Sequence, residues 1–176
     1  MVKLTIDDWV ALGLETLVEE GFPALKADRL TKKAGVTRGS FYGYFKDVSA
    51  FHEALHAAWF DRSRRVTEAA AALPVADRLG HFISASAEAD TRLEQAMRAW
   101  AYSNAKVQQQ VTELDAYRLR ILRQTLEDMG LSEADAALRA KILYASAIGS
   151  KMVPEELMSL SPQDFATLAT LLAPQT

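Results

Sequence analysis

The sequence predicts an all-α protein. Apolar residues recur at three- and four-residue steps along most of the 176 residues, which is the spacing of one face of a helix. The alternation of polar and apolar residues that marks a strand is absent, and glycines and prolines fall where these helices would end. Hydrophobic residues make up 49% of the chain and charged residues 24%, which is typical of a globular protein.

The N-terminal part is predicted to contain four helices. Gly21 and Gly35 are expected to end the first two, because glycine adopts a left-handed cap at little cost. Thr37 and Asp47 are suitable N-caps for the third and fourth helices, and Pro74 stops the fourth. The predicted helices run from Ile6 to Gly21, over residues 27–34, from Thr37 through Phe45, and from about Val48 to Leu73.

The remainder of the chain is also predicted to be helical. Gly130, Pro154 and Pro162 separate the later segments. These helices are predicted near residues 76–89, 91–106, 108–129, 133–153 and 162–173.

Charge is unevenly distributed along the chain. The formal net charge is −3, yet the segment from Lys26 to Lys46 has six basic residues and one acid, a local charge of +5. From Asp47 to the end the net charge is −4. A basic segment is therefore joined to a mildly acidic body, and that segment favours an anionic partner.

The basic segment has the layout of a helix-turn-helix, with a turn of a few residues around Gly35 between two short helices. Apolar positions indicate which side faces inward, and they are Leu30, Ala34, Val36, Phe41 and Phe45. The positions left facing outward are Arg38, Gly39, Ser40, Tyr42 and Tyr44. Exposing two tyrosines and an arginine beside a capping threonine suits a surface that holds phosphates and reads base edges.

The sequence AGVTRGSFYGYF, residues 34–45, followed by Lys46, resembles the signature of TetR-type transcriptional regulators. The resemblance is specific over residues 6–60. It implies an all-helical homodimer in which residues 1–47 form a three-helix DNA-binding domain. Residues 48–176 would form a helical body for ligand binding and dimerisation, and the partners would be double-stranded DNA and a small-molecule effector.

The same resemblance implies roles for individual residues. Thr37, the hydroxyl of Tyr42 and the amine of Lys46 would contact phosphates. Arg38, Ser40 and Tyr44 would face base edges in the major groove, and Gly39 would allow a close approach of the backbone. Arg29 adds basic charge to the segment. Three positions depart from the family pattern: Lys26 stands where Ser or Thr is usual, Thr31 where a small residue is usual, and Val48 where a lysine is common. Lys26 would compensate by its charge.

The C-terminal body offers candidates for a ligand pocket and a dimer surface. Aromatic and apolar side chains suited to lining a pocket for an apolar or aromatic ligand are Phe82, Met97, Trp100, Tyr117, Leu122 and Tyr144. The segment 136–153 is apolar on nearly all sides and carries small residues, so it can approach another helix closely. With Phe165, Leu168, Leu171 and Leu172 it is the candidate dimer surface; the alternative is burial within one subunit.

His52-Glu53-Ala54-Leu55-His56 fits the H-E-x-x-H pattern of zinc peptidases, in which two histidines one helical turn apart bind zinc and the glutamate acts as a base. The extended pattern fails, because Trp59 and Arg62 occupy its glycine and histidine positions. A third ligand from a later helix, such as Asp77 or Glu68, stays open. The apolar residues on the same helix favour a packing role instead.

The function that these observations predict is a ligand-responsive DNA-binding regulator, a repressor that binds a palindromic operator as a homodimer without catalytic chemistry, metal or cofactor. The alternatives are a helical protein-interaction adaptor and a zinc peptidase. The chain has no cysteine, and neither a signal peptide nor a long apolar span is evident, so a cytoplasmic location is expected.

Overall fold

The computed structural model describes residues 4–158 and 160–172, and it confirms the all-α prediction, since none of these residues lies in a β-strand. A 3₁₀ turn, Phe22–Ala24, follows the first helix. The α-helices are α1 (Ile6–Glu20), α2 (Ala27–Ala34), α3 (Arg38–Tyr42), α4 (Val48–Ala71), α5 (Val75–Glu88), α6 (Thr91–Ala101), α7 (Ala105–Asp128), α8 (Glu133–Met152), α9 (Glu155–Met158) and α10 (Pro162–Leu172).

Helix α1 begins and ends at residues suited to those positions. Thr5 forms a capping box with Asp8: its hydroxyl accepts the Asp8 backbone N–H at 3.2 Å, and the Asp8 carboxylate accepts the Thr5 backbone N–H at 2.7 Å. These bonds to Thr5 lower the pKa of Asp8. Gly21 ends the helix with φ +77°, and its N–H donates to the Leu17 carbonyl. The predicted stop at Gly21 is thereby confirmed.

Helix α3 is shorter than predicted, because it ends at Tyr42 rather than continuing through Phe45. Gly43 follows it, and glycine favours the helical state less than other residues apart from proline. The N–H groups of Tyr44 and Phe45 still bond the Phe41 carbonyl, so the chain tightens there before α4 begins. Asp47 starts α4 as predicted, its carboxylate accepting the Ala50 N–H at 2.8 Å.

The break between α6 and α7 also lies earlier than predicted. The sequence placed it near residue 107, whereas α6 ends at Ala101 and α7 begins at Ala105. The side-chain oxygen of Asn104 accepts the backbone N–H groups of Lys106 and Val107 at 3.0 and 3.2 Å. Asn104 therefore caps α7, and the predicted break missed this cap.

The described residues form two compact units. The N-terminal unit contains the residues up to Arg62 and Arg92–Val111, and the C-terminal unit contains Ser63–Thr91 and the residues from Thr112 onward. The N-terminal unit thus includes most of α6 and the start of α7 as well as the first three helices. The functional division between residues 47 and 48 stays a prediction.

The core of the N-terminal unit is aromatic. Phe41 of α3 is fully buried and lies edge-on to Trp9 of α1, with ring centroids 5.4 Å apart, and also to Phe51 of α4 at 5.3 Å. Aromatic pairs of this geometry contribute about 0.5–1.5 kcal/mol beyond their burial. These contacts join the first, third and fourth helices around one side chain.

The core of the C-terminal unit is aliphatic, and α10 packs there against α5 and α8. Phe82 and Tyr144 pack partly buried against it. The buried members of this core are Leu79, Ile83, Leu122, Leu126, Ala136, Ala140 and Leu143.

Gly13 permits the close approach of α1 to α4. A Cβ atom at this position would lie 2.6 Å from both Leu55 Cδ2 and Phe51 Cζ, and both side chains are fully buried. Real Cβ contacts are not that short, so either the helices or the two side chains would have to shift.

We expect Gly13→Ala to lower the free energy of unfolding. Overpacking a core costs about 1–3 kcal/mol, which exceeds the gain of up to about 1 kcal/mol from replacing glycine by alanine inside a helix. Gly80→Ala is the matched control, since Gly80 is exposed on α5 and its Cβ would meet nothing within 4 Å. Urea denaturation should show Gly80→Ala neutral or stabilised. Equal effects of the two substitutions would contradict the packing explanation.

Candidate nucleic-acid interface

Helices α2 and α3 are joined by a turn that only glycine accommodates easily. Gly35 has φ +66° and ψ 30°, which is the left-handed conformation, and it follows α2 directly. A Cβ atom there would meet nothing within 4 Å, so the backbone angle and not crowding accounts for the glycine. The N–H of Val36 donates to the Thr31 carbonyl at 3.0 Å, closing the turn. The predicted glycine-centred turn is confirmed.

The burial of Phe41 determines which face of α3 points outward. With this side chain in the core, Arg38, Gly39 and Tyr42 are exposed, whereas Ser40 and Tyr44 are partly buried. The Tyr42 ring rests edge-on against Phe41, with centroids 5.3 Å apart. The outward face of α3 therefore presents a guanidinium, a phenol and a stretch of accessible backbone.

Polar contacts hold the start of α3. Arg38 Nε lies 2.8 Å from Asp28 Oδ1 of α2, and the two side chains are 65% and 69% exposed. An ion pair this exposed contributes about 0–1 kcal/mol, so phosphate or a base can replace it at little cost. Thr37 is the N-cap by its backbone angles, but its hydroxyl caps no backbone N–H of α3 and instead bonds the Ser40 hydroxyl at 3.3 Å.

Two of the basic residues predicted to create the positive segment are paired with acids of α1. Arg29 forms an ion pair with Glu20, its Nε donating at 2.8 Å, and Lys33 donates to Glu19 at 2.6 Å. The Lys33–Glu19 bond raises the pKa of Lys33 and lowers that of Glu19. The acids of α1 therefore neutralise part of the +5 charge of the segment.

The remaining cations are Lys26, Lys32 and Lys46, which are exposed and form no ion pair with any described residue. Lys32 was not predicted as a contact. It lies one turn after Asp28 on α2, on the face that Arg38 contacts. The only sequence signal for Lys32 was its place in the basic run. The Asp28–Arg38 ion pair shows which face of α2 Lys32 lies on, and that pair is a tertiary contact.

The residues of the H-E-x-x-H pattern all bond neighbouring elements. His52 Nε2 lies 2.9 Å from the Leu25 carbonyl, His56 Nδ1 lies 2.6 Å from Gln110 Oε1, and Glu53 forms an ion pair with Lys106. Burial lowers the pKa of His56, which favours the neutral ring. Among the described residues no three histidine, aspartate or glutamate side chains are grouped to hold a metal. Asp77 and Glu68, the candidates that the sequence left open for a third ligand, belong to the C-terminal unit, whereas the two histidines belong to the N-terminal unit.

The six residues predicted to line a ligand pocket are divided between the two units. Met97 and Trp100 are fully buried in the N-terminal unit, whereas Phe82, Leu122 and Tyr144 pack in the core of the C-terminal unit. Tyr117, also in the C-terminal unit, has the guanidinium carbons of Arg64 and Arg120 at 5.4 and 5.1 Å from its ring centre. A ligand role for these residues stays a prediction.

One polar group stands out in the C-terminal unit. The Tyr144 hydroxyl donates to Asp115 at 2.5 Å. Burial raises the pKa of Tyr144 to about 12, so the phenol stays protonated and donates.

Comparison with known proteins identifies the N-terminal helices. Residues 10–55 match the family model of bacterial regulatory proteins of the tetR family. These residues therefore form a domain of the tetR family. The match includes every residue of the α2–turn–α3 surface described above. No curated protein matches the chain in sequence.

Solved structures of TetR-type and related regulators share the fold along nearly the whole chain. SmeT, the repressor of the Stenotrophomonas maltophilia multidrug efflux pump SmeDEF, is 23% identical, with a TM-score of 0.68 over 97% of this chain and 89% of SmeT. A transcriptional regulator from Rhodococcus sp. Rha1 is 16% identical, with a TM-score of 0.73 over 96% and 94% of the two chains. KstR2, the ketosteroid transcriptional regulator of Mycobacterium tuberculosis, is 15% identical, with a TM-score of 0.65 over 98% and 94%. The TetR architecture, a helix-turn-helix domain followed by a helical C-terminal part, therefore extends beyond the matched residues.

The described helices include none that is both long enough and apolar enough to span a membrane.

We expect Lys46→Gln and Arg29→Gln to change the salt dependence of DNA binding by different amounts. Each unpaired cation that contacts a phosphate contributes about one unit to the slope of log K against log salt. The substitution Lys46→Gln should therefore lower the slope by about one unit. The substitution Arg29→Gln should lower the slope by much less, because Arg29 can contact a phosphate only if its ion pair with Glu20 breaks.

Fluorescence-anisotropy titrations at several salt concentrations would measure both slopes. Arg65→Gln serves as the control, because Arg65 is an exposed cation on α4 in the C-terminal unit, away from the proposed DNA contacts. If Lys46→Gln and Arg29→Gln lowered the slope equally, the Arg29–Glu20 ion pair would have to break when DNA binds.

Proposed function

We propose that this TetR-family protein is a transcriptional repressor that binds a palindromic DNA operator as a homodimer and releases it when a small molecule binds. The observation that carries the proposal is the exposed face of α3, with Arg38 and Tyr42 outward and Phe41 buried, within the residues that match the family. Repression is favoured because a structural neighbour, SmeT, is a repressor. In this proposal the chain has no catalytic chemistry.

The roles of the side chains follow from where they lie. Arg38 suits the acceptors of a guanine edge in the major groove, and Ser40 and Tyr44 flank it, half-buried, on the same short segment. Thr37, Tyr42 and Lys46 supply hydroxyls and an amine for the phosphates on either side. Gly39 is exposed, so the backbone can approach DNA without a side chain between them. Lys26 and Lys32 add unpaired positive charge nearby.

One short recognition helix reads only a few base pairs, so specific binding needs two copies. Two-fold dimers place their recognition helices about 34–36 Å apart, in successive major grooves. Helix α8 supports such pairing. Its inward side, with Ala136, Ala140 and Leu143, is buried in the core of the C-terminal unit. Its other side leaves Leu138 and Ile142 exposed.

Leu138, Ile142 and Ala145 are exposed on α8 and follow steps of four and three residues, which is the spacing of a helix–helix seam. Leu138 is 59% exposed, Ile142 39% and Met152 42%. On α10 the candidate surface divides: Leu171 is 68% exposed, whereas Leu168 and Leu172 pack against the core of the C-terminal unit. The Phe165 side chain lies outside the described residues. We propose that the outward faces of α8 and α10 meet those of a second copy.

An effector would act by linkage. If the small molecule binds better to the form whose recognition helices are wrongly spaced for DNA, each ligand weakens the other by the same factor, commonly about 1–3 kcal/mol. In the C-terminal unit, the Tyr144 hydroxyl bonds Asp115, and both Tyr144 and Phe82 pack against the aliphatic core. That combination suits an apolar or aromatic ligand with one polar group.

Selection of duplexes from a random-sequence library by the full chain tests the proposal. We expect a roughly palindromic sequence to be enriched. Arg38→Ala should bind the selected duplex about 1–3 kcal/mol more weakly and tolerate other bases at one position of each half-site.

Arg65→Ala is the matched control, since Arg65 is an exposed arginine in the C-terminal unit. Unchanged affinity and preference in Arg38→Ala would refute the assigned contact. No enrichment even at low ionic strength would refute DNA binding and favour a protein-interaction adaptor.

We expect Ile142→Glu to convert the dimer to a monomer, because the substitution would place two buried carboxylates in the proposed seam. Sedimentation-velocity measurements at a range of concentrations would detect the change. Tyr102→Glu is the control, since Tyr102 is 93% exposed and lies outside α8 and α10. A dimer of unchanged affinity in Ile142→Glu would place the interface elsewhere.

A further inference from the structure

The turn that leads into α2 is held by residues distant in sequence. Phe22, in the 3₁₀ turn, stacks on Trp100 of α6, with ring centroids 5.1 Å apart and planes inclined by 20°. Trp100 is almost fully buried, so this stack is an interior contact of the N-terminal unit. The turn is thus covered by a side chain from more than seventy positions further along the chain.

His52 of α4 completes the contact. Its ring lies edge-on to Phe22 at 5.2 Å and to Trp100 at 5.5 Å. Its Nε2 lies 2.9 Å from the carbonyl oxygen of Leu25, the buried residue that follows the turn. With Nε2 protonated, the ring donates to this carbonyl. Phe22, His52 and Trp100 are called the aromatic clamp below.

The aromatic clamp lies next to the start of α2, which has no N-cap side chain. Lys26 occupies the N-cap position with the extended backbone typical of a cap, φ −120° and ψ 142°, but no side chain caps the helix. A serine or threonine at this position would bond an N–H of the first turn. Lysine has no acceptor and cannot cap α2, whereas His52 bonds the carbonyl of Leu25, the residue directly before Lys26.

The orientation of α2 matters for the surface of α3. The two helices pack together through the tight turn at Gly35, and Asp28 in the first turn of α2 pairs with Arg38. A shift at the start of α2 would therefore move α3 through this packing, whereas the exposed Asp28–Arg38 pair adds little. The first turn of α2 is thus the link between the clamp and the surface of α3.

We infer that His52 and Trp100 are positioning residues for DNA binding, which hold the start of α2 in place of the missing N-cap side chain. The inference rests on the proposed function, and it gives His52 of the H-E-x-x-H pattern a role that involves no metal. The clamp does not touch DNA. It raises the fraction of molecules whose α2 and α3 are correctly oriented.

A double-mutant cycle between His52 and Lys26 tests the inference. If His52→Ala leaves about a tenth of the molecules in the competent arrangement, the Kd for the selected duplex rises about tenfold. Adding Lys26→Ser supplies the missing cap and should recover most of that loss. In the wild-type background Lys26→Ser should not improve binding, because α2 is already held and a cation is lost.

Glu53→Gln is the matched control. Glu53 adjoins His52 on α4, but its side chain pairs with Lys106 and makes no hydrogen bond or ion pair with Phe22, His52 or Trp100. Trp100→Phe is the conservative variant: it keeps a ring for stacking and removes an indole N–H that has no hydrogen-bond partner among the described residues. Both should bind the duplex close to wild type, whereas Trp100→Leu should lose about as much as His52→Ala.

Amide hydrogen exchange in the free protein provides a readout that does not need DNA. Exchange at Leu30, whose N–H donates to the Lys26 carbonyl, should accelerate in His52→Ala, return toward wild type with Lys26→Ser, and stay unchanged in Glu53→Gln. Equal effects of Lys26→Ser in both backgrounds, or equal exchange in His52→Ala and Glu53→Gln, would overturn the inference. If wild type binds no duplex while the exchange pattern holds, the proposed function fails and the clamp's hold on α2 stands.

Discussion

The burial of Phe41 is the contact on which the candidate interface depends. Helix α3 has only five residues, too few to be stable in isolation, so its orientation comes from tertiary packing. One ring, enclosed by Trp9 and Phe51, sets the rotation of the helix about its axis. Every outward residue of α3 is outward because this ring is inward. The close approach of α1 and α4 at Gly13 keeps the enclosure tight.

Only some of the basic residues of the α2–turn–α3 segment contribute positive charge to its surface, because others are paired with acids. Acids of α1 pair with Arg29 and Lys33, and Asp28 pairs with Arg38. The first two pairs hold α2 against α1. The third is highly exposed, so it can be exchanged for contacts with DNA. The same run of basic residues therefore supports both the packing of the domain and its surface field, with different cations in each role.

In the C-terminal unit, the two sides of α8 also differ in what covers them. Alanines and Leu143 on one side of α8 belong to the core, whereas Leu138 and Ile142 on another side stay exposed. A helix that is apolar on nearly all sides is stable in water only if both sides are covered. The first side is covered within the chain, and the proposed dimer would cover the second.

The sequence by itself determined the helical class and the ends of α1 and α2 at glycine, because these depend on local backbone preferences. It also determined that Arg38 and Tyr42 face outward, because that follows from a short-range apolar pattern. Only the tertiary structure decided where α3 ends, which cations are paired, and that Trp100 belongs with Phe22 and His52 in the N-terminal unit rather than with Tyr144. Those features depend on side chains far apart in sequence, and residue spacing along one helix carries no information about the partner that another helix brings.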